Sequence, residues 1–470
     1  MKKILLLNPP SEIPCYRILH RAKIGDPNYL WPLVDLIYLS GYLHDAGFSI
    51  EHKDFQIDKN DSMEAFLSGK KYDVIVSTYS PFFEDKDLAL LRDIKSRSAA
   101  TDIILLANHK DRLDNQHSEK ILKENPFIKA LVYDYAYNSS AAFISGDRSD
   151  GLFNVFYIEN GALKGRIKDM PPEFEIPLPR HEVFKSNSYF HYDSVGGLLT
   201  TAMSTFGCKM GCAFCWAPQL YPIVARRTPE NLIAEMEHIV KCGISEVYFH
   251  DFSFAYHKNQ LLRFCQLMVE KNIKLRWFCS SRFDLMSAET IEAMAKAGCR
   301  CIEFGLESGN YEVRKLYGKK FPDEKVREVV GLCRKHGIHK SVFIILGLPE
   351  ESLDDMVRSV EFVKKLHFDY ISINILWAER FTDIADKLQG NIITESSDEA
   401  MKKINFQHSL VSSDDIIALY NKSIRSIYLN PLFILRQLMG IRSFKKILFS
   451  LYLVKKLFFK KTQAKNASVT

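Results

Sequence analysis

The feature that most constrains the fold is a helix-then-strand pattern that recurs in the middle of the sequence. An amphipathic helix ends, in three of four cases next to a glycine, and a short apolar strand follows it. The strands predicted in this way span residues 246–250, 301–306, 341–346 and 370–376. Parallel strands joined by helices close fully or partly into a barrel, and the chemistry of such barrels lies at the carboxyl ends of the strands. The repeat predicts an α/β fold with a partial six-stranded TIM-like barrel over residues 196–380.

The first 145 residues show a different α/β pattern. Apolar runs at 4–7, 74–77, 103–106 and 130–133 are typical of buried parallel strands, and helical patterns such as 33–46 separate them. This alternation predicts a doubly wound parallel sheet. No GxGxxG follows the first strand, so the nucleotide-binding Rossmann interpretation has no support. A Gly- and Pro-rich connector over 146–195 is predicted between the two domains, and a helical region over 381–470 is predicted after them.

Three cysteines lie in a glycine-punctuated loop after the first predicted barrel strand: Cys208, Cys212 and Cys215. Thiolates suit iron–sulfur clusters or zinc, and both usually take four protein ligands. Three local ligands leave one metal open to a small molecule, as a catalytic site requires. Two alternatives stay open, namely a zinc knuckle in a non-catalytic module and three unrelated buried thiols.

The spacing Cys-x3-Cys-x2-Cys, with Phe214 before the third cysteine, resembles the radical S-adenosylmethionine (SAM) superfamily over residues 196–380. The resemblance implies a 4Fe-4S cluster on the three cysteines, with SAM chelating the fourth iron. It also implies reductive cleavage of SAM to a 5′-deoxyadenosyl radical, which needs an electron donor such as flavodoxin or ferredoxin. The cofactor supplies the difficult chemistry, and the barrel supplies orientation and exclusion of water.

The ends of the later strands carry polar residues where that family contacts SAM. The resemblance implies four sets of SAM contacts: His250 and Asp251 at the amino group, Ser280 and Arg282 at the strand end that meets the carboxylate, Glu307 or Ser308 at the ribose, and Ile345, Gly347 and Glu350 in an adenine-contacting G-x-I-x-G-x-x-E pattern. Phe343 stands where that pattern begins with glycine. Each carboxylate also has a structural alternative as a helix cap or ion-pair partner, and no catalytic residue is assigned.

A doubly wound domain before such a barrel resembles the cobalamin-binding branch of the superfamily. The matching features are Asn8-Pro9-Pro10, Trp31-Pro32 leading into residues 39–43, and Asp54 at the end of the second strand. The resemblance implies cobalamin as a third cofactor and methyl transfer to an unreactive carbon. The alternative is a cobalamin-independent rearrangement, cyclisation or oxidation of a lipid, peptide or natural product.

The sequence departs from that branch at three places. It has no D-x-H-x-x-G, Ala107-Asn108 followed by His109 replaces a glycine pair, and residues 134–137 replace a G-E-G-E turn. Glycines at such places let the backbone approach a bulky cofactor closely, so these departures weigh against cobalamin.

Charge separates the body of the chain from its tail. Eleven Lys or Arg residues and no Asp or Glu follow Asp415. The chain up to Asp415 therefore contains 52 basic and 57 acidic residues. A mildly acidic body argues against a nucleic-acid partner. The basic tail predicts either a surface helix or contact with an anionic membrane surface. Because no apolar run is long enough to span a bilayer, the sequence predicts a cytoplasmic protein, at most peripheral to a membrane.

Overall fold

A computed structural model of the chain describes residues 1–11, 15–18, 21–24, 31–58, 61–80, 83–108, 115–133, 137–221, 223–388, 390–393, 404–439 and 447. The described residues of the first part form nine strands: β1 (Lys3–Asn8), β2 (Cys15–Ile18), β3 (Arg21–Ile24), β4 (Ser49–Asp54), β5 (Val74–Thr78), β6 (Asp102–Leu106), β7 (Ile128–Val132), β8 (Val155–Glu159) and β9 (Ala162–Lys164). Its described helices are Val34–Asp45, Met63–Leu67, Glu84–Arg97, Asn115–Glu124 and Ser139–Ser145.

The first domain is a seven-stranded sheet in the order β4-β1-β5-β6-β7-β8-β9. Strands β4 to β7 of this order are parallel, which is the 2-1-3-4-5 order of a doubly wound fold. The central strands are buried on both faces, as their continuous apolar runs require. The predicted doubly wound parallel sheet is confirmed.

The sheet continues beyond residue 145, where the sequence analysis ended the first domain. Strand β8 adds antiparallel to β7, and β9 pairs with β8 as a hairpin. Asn160 and Gly161 connect the two strands with φ of 51° and 77°. Positive φ at both central residues defines the type I′ turn that Asn-Gly favours, so a local hairpin signal was overlooked within the predicted connector.

The second part contains nine further strands: β10 (Glu173–Phe174), β11 (Leu199–Ala202), β12 (Thr205–Phe206), β13 (Ala225–Arg227), β14 (Glu246–Phe249), β15 (Arg276–Ser281), β16 (Cys299–Glu307), β17 (His339–Leu346) and β18 (Tyr370–Ile375). Its helices up to the last of these strands are Ala217–Leu220, Pro229–Lys241, Lys258–Glu270, Ala288–Lys296, Tyr311–Leu316, Asp323–Lys335 and Leu353–Lys365, with 3-10 turns at His181–Phe184 and Phe283–Leu285.

Six of these strands form one parallel sheet in sequential order, β11-β14-β15-β16-β17-β18. Helices connect each strand to the next, and their apolar faces pack on the sheet in one large core. The helix Pro229–Lys241 shows how the sequence defines such an element. Thr228 accepts a hydrogen bond from the N–H of Asn231, and Pro229 occupies the first turn. The sheet is open, and the predicted partial (β/α)6 barrel is confirmed.

The two domains contact each other through the helix Val34–Asp45. The hydroxyl of Tyr38 donates to the carbonyl of Met203 at 2.9 Å, directly after β11, and accepts from Arg227 at 3.0 Å. The connector crosses the same helix at Gly41, where a Cβ would lie 2.8 Å from the carbonyl oxygen of Pro177. Glycine at this position therefore allows a close backbone contact.

The C-terminal region contains the described helices Asp383–Lys387, Ser413–Tyr428 and Pro431–Met439. Most of the basic tail, including Lys445, Lys446, Lys455, Lys456, Lys460 and Lys461, lies outside the described residues. In the described part of the chain, no helix is both long enough and apolar enough to cross a membrane.

Candidate functional site

The three cysteines lie on the loop between β12 and the helix Ala217–Leu220, at the carboxyl end of the first barrel strand. All three thiols are half-buried and form no disulfide. The loop is shaped by two glycines with positive φ, and a Cβ on Gly207 would lie 2.8 Å from the Cβ of Tyr221. The loop therefore follows a path that a side chain at Gly207 would obstruct.

Asp251 holds the beginning of this loop in place. Its carboxylate accepts hydrogen bonds from the backbone N–H of Ser204 at 2.8 Å, the Ser204 hydroxyl at 2.5 Å and the N–H of Thr205 at 2.8 Å. Complete burial raises the pKa of Asp251 to about 6, although these hydrogen bonds act to lower it. Asp251 was predicted to contact the SAM amino group. In the structure its carboxylate accepts hydrogen bonds from the backbone of the cysteine loop.

Two buried cations border the cysteine loop. Arg282 lies 3.2 Å from the sulfur of Cys212, donates to the carbonyl of Gly318 at 3.0 Å and forms an ion pair with Asp284 at 2.8 Å. The other cation, Lys319, follows Gly318, where a Cβ would lie only 2.2 Å from a backbone oxygen of the cysteine loop. Lys319 was not predicted from the sequence, because no local pattern marks it as a neighbour of the cysteines.

Burial raises the pKa of Cys208, and it raises the pKa of Cys215 to about 12. The nearby thiol of Cys212 raises both pKa values further, whereas Lys319 lowers them. Cysteines coordinate metals as thiolates, so metal binding here releases protons. Cationic neighbours stabilise the thiolates that result.

The spacing of the thiols bears on the choice between a cluster and a single ion. Among the described residues, the one group of three metal-binding side chains with ligand atoms within 4.8 Å of one another lies elsewhere, at Glu182, His238 and Cys242. At least one pair of the loop sulfurs is therefore more than 4.8 Å apart, wider than the roughly 3.8 Å between thiolates at a tetrahedral zinc site. A cluster, whose thiolates bind different iron atoms, accommodates this wider spacing.

A second set of polar groups lies at the carboxyl end of β16. Glu307 has a φ of 68° and forms a 3.0 Å ion pair with Lys319, both side chains being buried. The next residue, Ser308, donates its hydroxyl to Glu351 at 2.7 Å. Glu307 and Ser308 were predicted from the sequence, and the structure brings them to the same end of the barrel as the cysteine loop.

The end of β17 distinguishes two adjacent glutamates. Glu350, which the sequence analysis selected, is exposed and accepts a hydrogen bond from Tyr317. Glu351 is buried, and its burial raises its pKa to about 8. Glu351 was not predicted from the sequence, because Glu350 and Glu351 are the same residue type and differ only in burial, which the sequence does not show.

The remaining predicted residues at this end of the barrel pack near these groups. The ring centroid of Phe214 lies 6.3 Å from that of Tyr317, the residue that bonds to Glu350. Gly347 has a φ of 87°, and a Cβ there would lie 2.8 Å from the side chain of Ile404. Ile345 is half-buried against the barrel core.

Two other predicted residues contact the barrel interior. Ser280 donates to Glu303 at 3.0 Å, and Tyr248 donates to the same carboxylate at 2.7 Å. His250 is buried against Trp31, with 4.9 Å between the ring centroids. These two residues therefore belong to an aromatic and polar cluster inside the barrel, and their contact with SAM stays a prediction.

The carboxyl edge of the first sheet is the other candidate ligand site. In a 2-1-3-4-5 sheet the crevice lies where the strand order reverses, here between β1 and β5. Asn8 at the end of β1 donates to Asp54 at 2.9 Å, and Tyr189 of the connector donates to the other oxygen of Asp54 at 3.0 Å. Burial raises the pKa of Asp54 to about 6. Tyr189 packs in the same aromatic cluster as Trp31, so this edge adjoins the barrel interior.

Ala107 and Asn108, which replace the expected glycine pair, lie buried after β6. The N–H of Ala107 donates to Val132 at 2.8 Å and extends the pairing with β7. His109 and residues 134–136 lie outside the described residues.

Comparisons with known proteins agree with this architecture. The family model described as the radical SAM superfamily matches residues 203–363. A protein of Pyrococcus horikoshii named as an uncharacterized methyltransferase is 24% identical over 333 residues, covering 67% of this chain and 70% of that protein. The hopanoid C-2 methylase of Rhodopseudomonas palustris is 26% identical over 265 residues, covering 54% of this chain and 47% of that protein. The chain thus spans about half the length of that relative.

Among solved structures, the cobalamin-dependent SAM radical enzyme OxsB, with aqua-cobalamin and SAM bound, has a TM-score of 0.68. Its sequence identity is 15%, and the match covers 97% of this chain and 73% of OxsB. At this identity the likeness shows a shared fold, which extends over both domains.

Proposed function

Since the chain belongs to the radical SAM superfamily and is a radical SAM enzyme, we propose that it transfers a methyl group to carbon with bound cobalamin. The family predicted from the cysteine loop is confirmed, and the alternative of a non-catalytic zinc module is set aside. A radical SAM enzyme needs a small-molecule substrate and a reductant. We expect the reductant to be flavodoxin or ferredoxin, and the substrate to be a lipid, peptide or other small molecule.

The residues around the loop fit a 4Fe-4S cluster. When bound, the cluster and SAM supply reductive cleavage to a 5′-deoxyadenosyl radical, and cobalamin supplies the methyl group. Cys208, Cys212 and Cys215 hold the cluster, and Arg282 and Lys319 balance the negative charge of the thiolates. The observation that carries the proposal is this three-thiol loop at the carboxyl end of the first strand of a parallel barrel.

We assign the SAM carboxylate to Lys319 rather than to Arg282. The guanidinium of Arg282 is already held by Asp284, Gly318 and Cys212. Lys319 donates to the carbonyl of Gly305 at 2.9 Å and pairs with Glu307, which accounts for two of its three N–H groups. Glu307 and Ser308, at the end of the same strand, serve the ribose.

Cobalamin fits the carboxyl edge of the first sheet, where doubly wound folds bind ligands. We propose that Asn8, Thr78, Ala107 and Asn108, at the ends of β1, β5 and β6, contact it. This edge adjoins the barrel interior through the cluster that contains Trp31 and Tyr189, so a group held there faces the barrel. The solved structure of OxsB with aqua-cobalamin supports the assignment through the shared two-domain fold.

The metal content of the chain tests both parts of the proposal. Protein purified anaerobically from cells supplied with cobalamin should contain about four iron atoms and one cobalt per chain. Iron without cobalt would refute the cobalamin assignment and leave the radical SAM chemistry standing. Zinc in place of iron would contradict the cluster assignment itself. Methyl transfer is then measured with SAM carrying a labelled methyl group.

We also infer that the helix Pro431–Met439 contacts an anionic membrane surface. Leu432 and Leu435, three residues apart, are 68% and 53% exposed, while Phe433 packs into the barrel core. The following tail carries basic residues and no acidic ones, which suits anionic lipid. The similarity to a protein named a hopanoid methylase favours a lipid substrate.

Vesicle sedimentation tests this inference. The chain should bind vesicles that contain anionic lipid more tightly than zwitterionic ones, and the double variant L432E/L435E should bind at least tenfold more weakly. The control is I393E/L410E, because Ile393 and Leu410 are similarly exposed at 68% and 61%. Equal binding by both double variants would refute the assignment of the helix.

A further inference from the structure

Three side chains of different metal-binding types converge on the outer side of the connector. Glu182 comes from the 3-10 turn His181–Phe184, and His238 and Cys242 come from the C-terminal end of the helix Pro229–Lys241. The two helical residues are four apart and share one face. The three ligand atoms, Oε2 of Glu182, Nε2 of His238 and Sγ of Cys242, lie within 4.8 Å of one another.

The distances among these atoms match the edges of a tetrahedral zinc site. Bonds of about 2.0 Å to nitrogen and oxygen and about 2.3 Å to sulfur separate N and O by about 3.3 Å, and S by about 3.5 Å from each. The observed distances are 3.0 Å from Nε2 to Oε2, 3.5 Å from Sγ to Nε2 and 3.7 Å from Sγ to Oε2. Each side chain thus presents a ligand atom at a corner of one tetrahedral face.

The surroundings orient the ligands. Arg180 holds the other carboxylate oxygen of Glu182 at 2.5 Å, which leaves Oε2 directed at His238 and Cys242. Lys185 donates to the backbone carbonyl of Cys242 at 3.4 Å. Outer contacts of this kind fix the orientation of metal ligands. All three ligand residues are half-buried, so an ion can reach them from solvent.

We propose that Glu182, His238 and Cys242 bind one Zn²⁺ ion, with water as its fourth ligand. A thiolate, an imidazole and a carboxylate together suit zinc, and binding releases the proton of the Cys242 thiol. The site is separate from the cysteine loop and does not depend on the proposed methyl transfer.

The position of the site gives the ion a structural role at the domain junction. On the turn that carries Glu182, His181 bonds to Thr200 and Glu235 of the barrel, both at 2.8 Å. On the same turn, Phe184 packs on His52 of the first domain, with 4.4 Å between the ring centroids. Zinc bound by Glu182 of the connector and by His238 and Cys242 of the barrel therefore crosslinks these two parts. The link lies where the connector also contacts the first domain.

The test uses the full-length holoenzyme with its cluster in place. The protein is incubated anaerobically with Zn²⁺ and desalted, and zinc and iron are counted per chain. X-ray absorption at the zinc edge then counts the sulfur neighbours. The variants are C242S and H238Q, and the matched control is E237Q, which removes an exposed carboxylate from the same helix. Thermal unfolding is recorded with and without zinc.

We expect one zinc per chain with a single sulfur neighbour in the wild type and in E237Q, and loss of this zinc in C242S and H238Q with iron unchanged. Zinc should raise the unfolding temperature of the wild type and E237Q only, because it binds the folded state. Equal zinc in all variants, or no retained zinc in the wild type, would overturn the assignment. Zinc with three sulfur neighbours would place it on the cysteine loop and also overturn it.

Discussion

Replacing Glu351 with glutamine should remove a large part of the pH dependence of stability. The Glu351 carboxyl is buried on the loop after β17 and accepts a hydrogen bond from Ser308, which follows β16, at 2.7 Å. Burial raises its pKa from 4.5 to about 8, the nearby Asp355 and Glu350 adding to the shift. At neutral pH the group is therefore a protonated acid, which glutamine resembles in shape and charge.

The magnitude follows from the two pKa values. Between pH 4.5 and about 8 the folded state binds one proton more than the unfolded state, so the wild type loses stability as pH rises through this window. At about 1.4 kcal/mol per pH unit, the loss totals up to about 5 kcal/mol, of which about 4 kcal/mol falls between pH 5 and pH 9. The stabilisation of the folded state by the protonated Glu351 carboxyl is fully present below pH 4.5 and is lost above about pH 8.

The assay is the free energy of unfolding of the wild type and E351Q at pH 5 and pH 9, from denaturant titrations. The difference between the two proteins should shift by about 4 kcal/mol in favour of the variant as pH rises. The control is E350Q, because Glu350 is exposed and makes the smallest of the contributions to the raised pKa of Glu351, so it should change the pH dependence far less than E351Q does. Parallel pH profiles of the wild type and E351Q would refute the assignment of a protonated carboxyl.

Three further predictions concern the cysteine loop. C215A should lose the cluster, seen as loss of iron and of visible absorption, whereas a protein that keeps full iron would exclude this thiol as a ligand. G318A should also lose iron, because its Cβ would lie 2.2 Å from a backbone oxygen at a φ of 77°; G331A, where the added Cβ meets open space, should retain it. K319M leaves the buried Glu307 without its ion-pair partner and should destabilise the fold by about 3–5 kcal/mol and weaken SAM binding, as calorimetry with SAM would show; unchanged stability and affinity would contradict the pairing.

Features encoded in a few consecutive residues were predictable. The cysteine loop has its three candidate ligands within eight residues, so its chemistry could be predicted from that short segment alone. The barrel strands were predictable because short apolar runs follow amphipathic helices, several of which end next to a glycine. The hairpin at Asn160-Gly161 was equally local, and it was missed because its strands fell within a stretch interpreted as a connector.

Assignments that depend on burial were less predictable. Glu350 and Glu351 are chemically identical neighbours, and only the tertiary structure buries the second, where it accepts a hydrogen bond from Ser308. Asp251 was predicted to contact SAM at a strand end, and it lies just after β14. The structure adds that its carboxylate binds the backbone of Ser204 and Thr205, and that Ser280 faces Glu303 inside the barrel.

By itself, the sequence predicted the class of fold, the resemblance to the radical SAM superfamily and three candidate cluster ligands, because periodicity and ligand spacing are properties of short segments. Only the tertiary structure decided which charges surround those ligands. Lys319 lies more than a hundred residues from the cysteines along the chain, and Glu182 lies more than fifty from His238. Such pairs meet only when strands and helices pack, because contact between distant residues depends on the whole fold rather than on any local pattern.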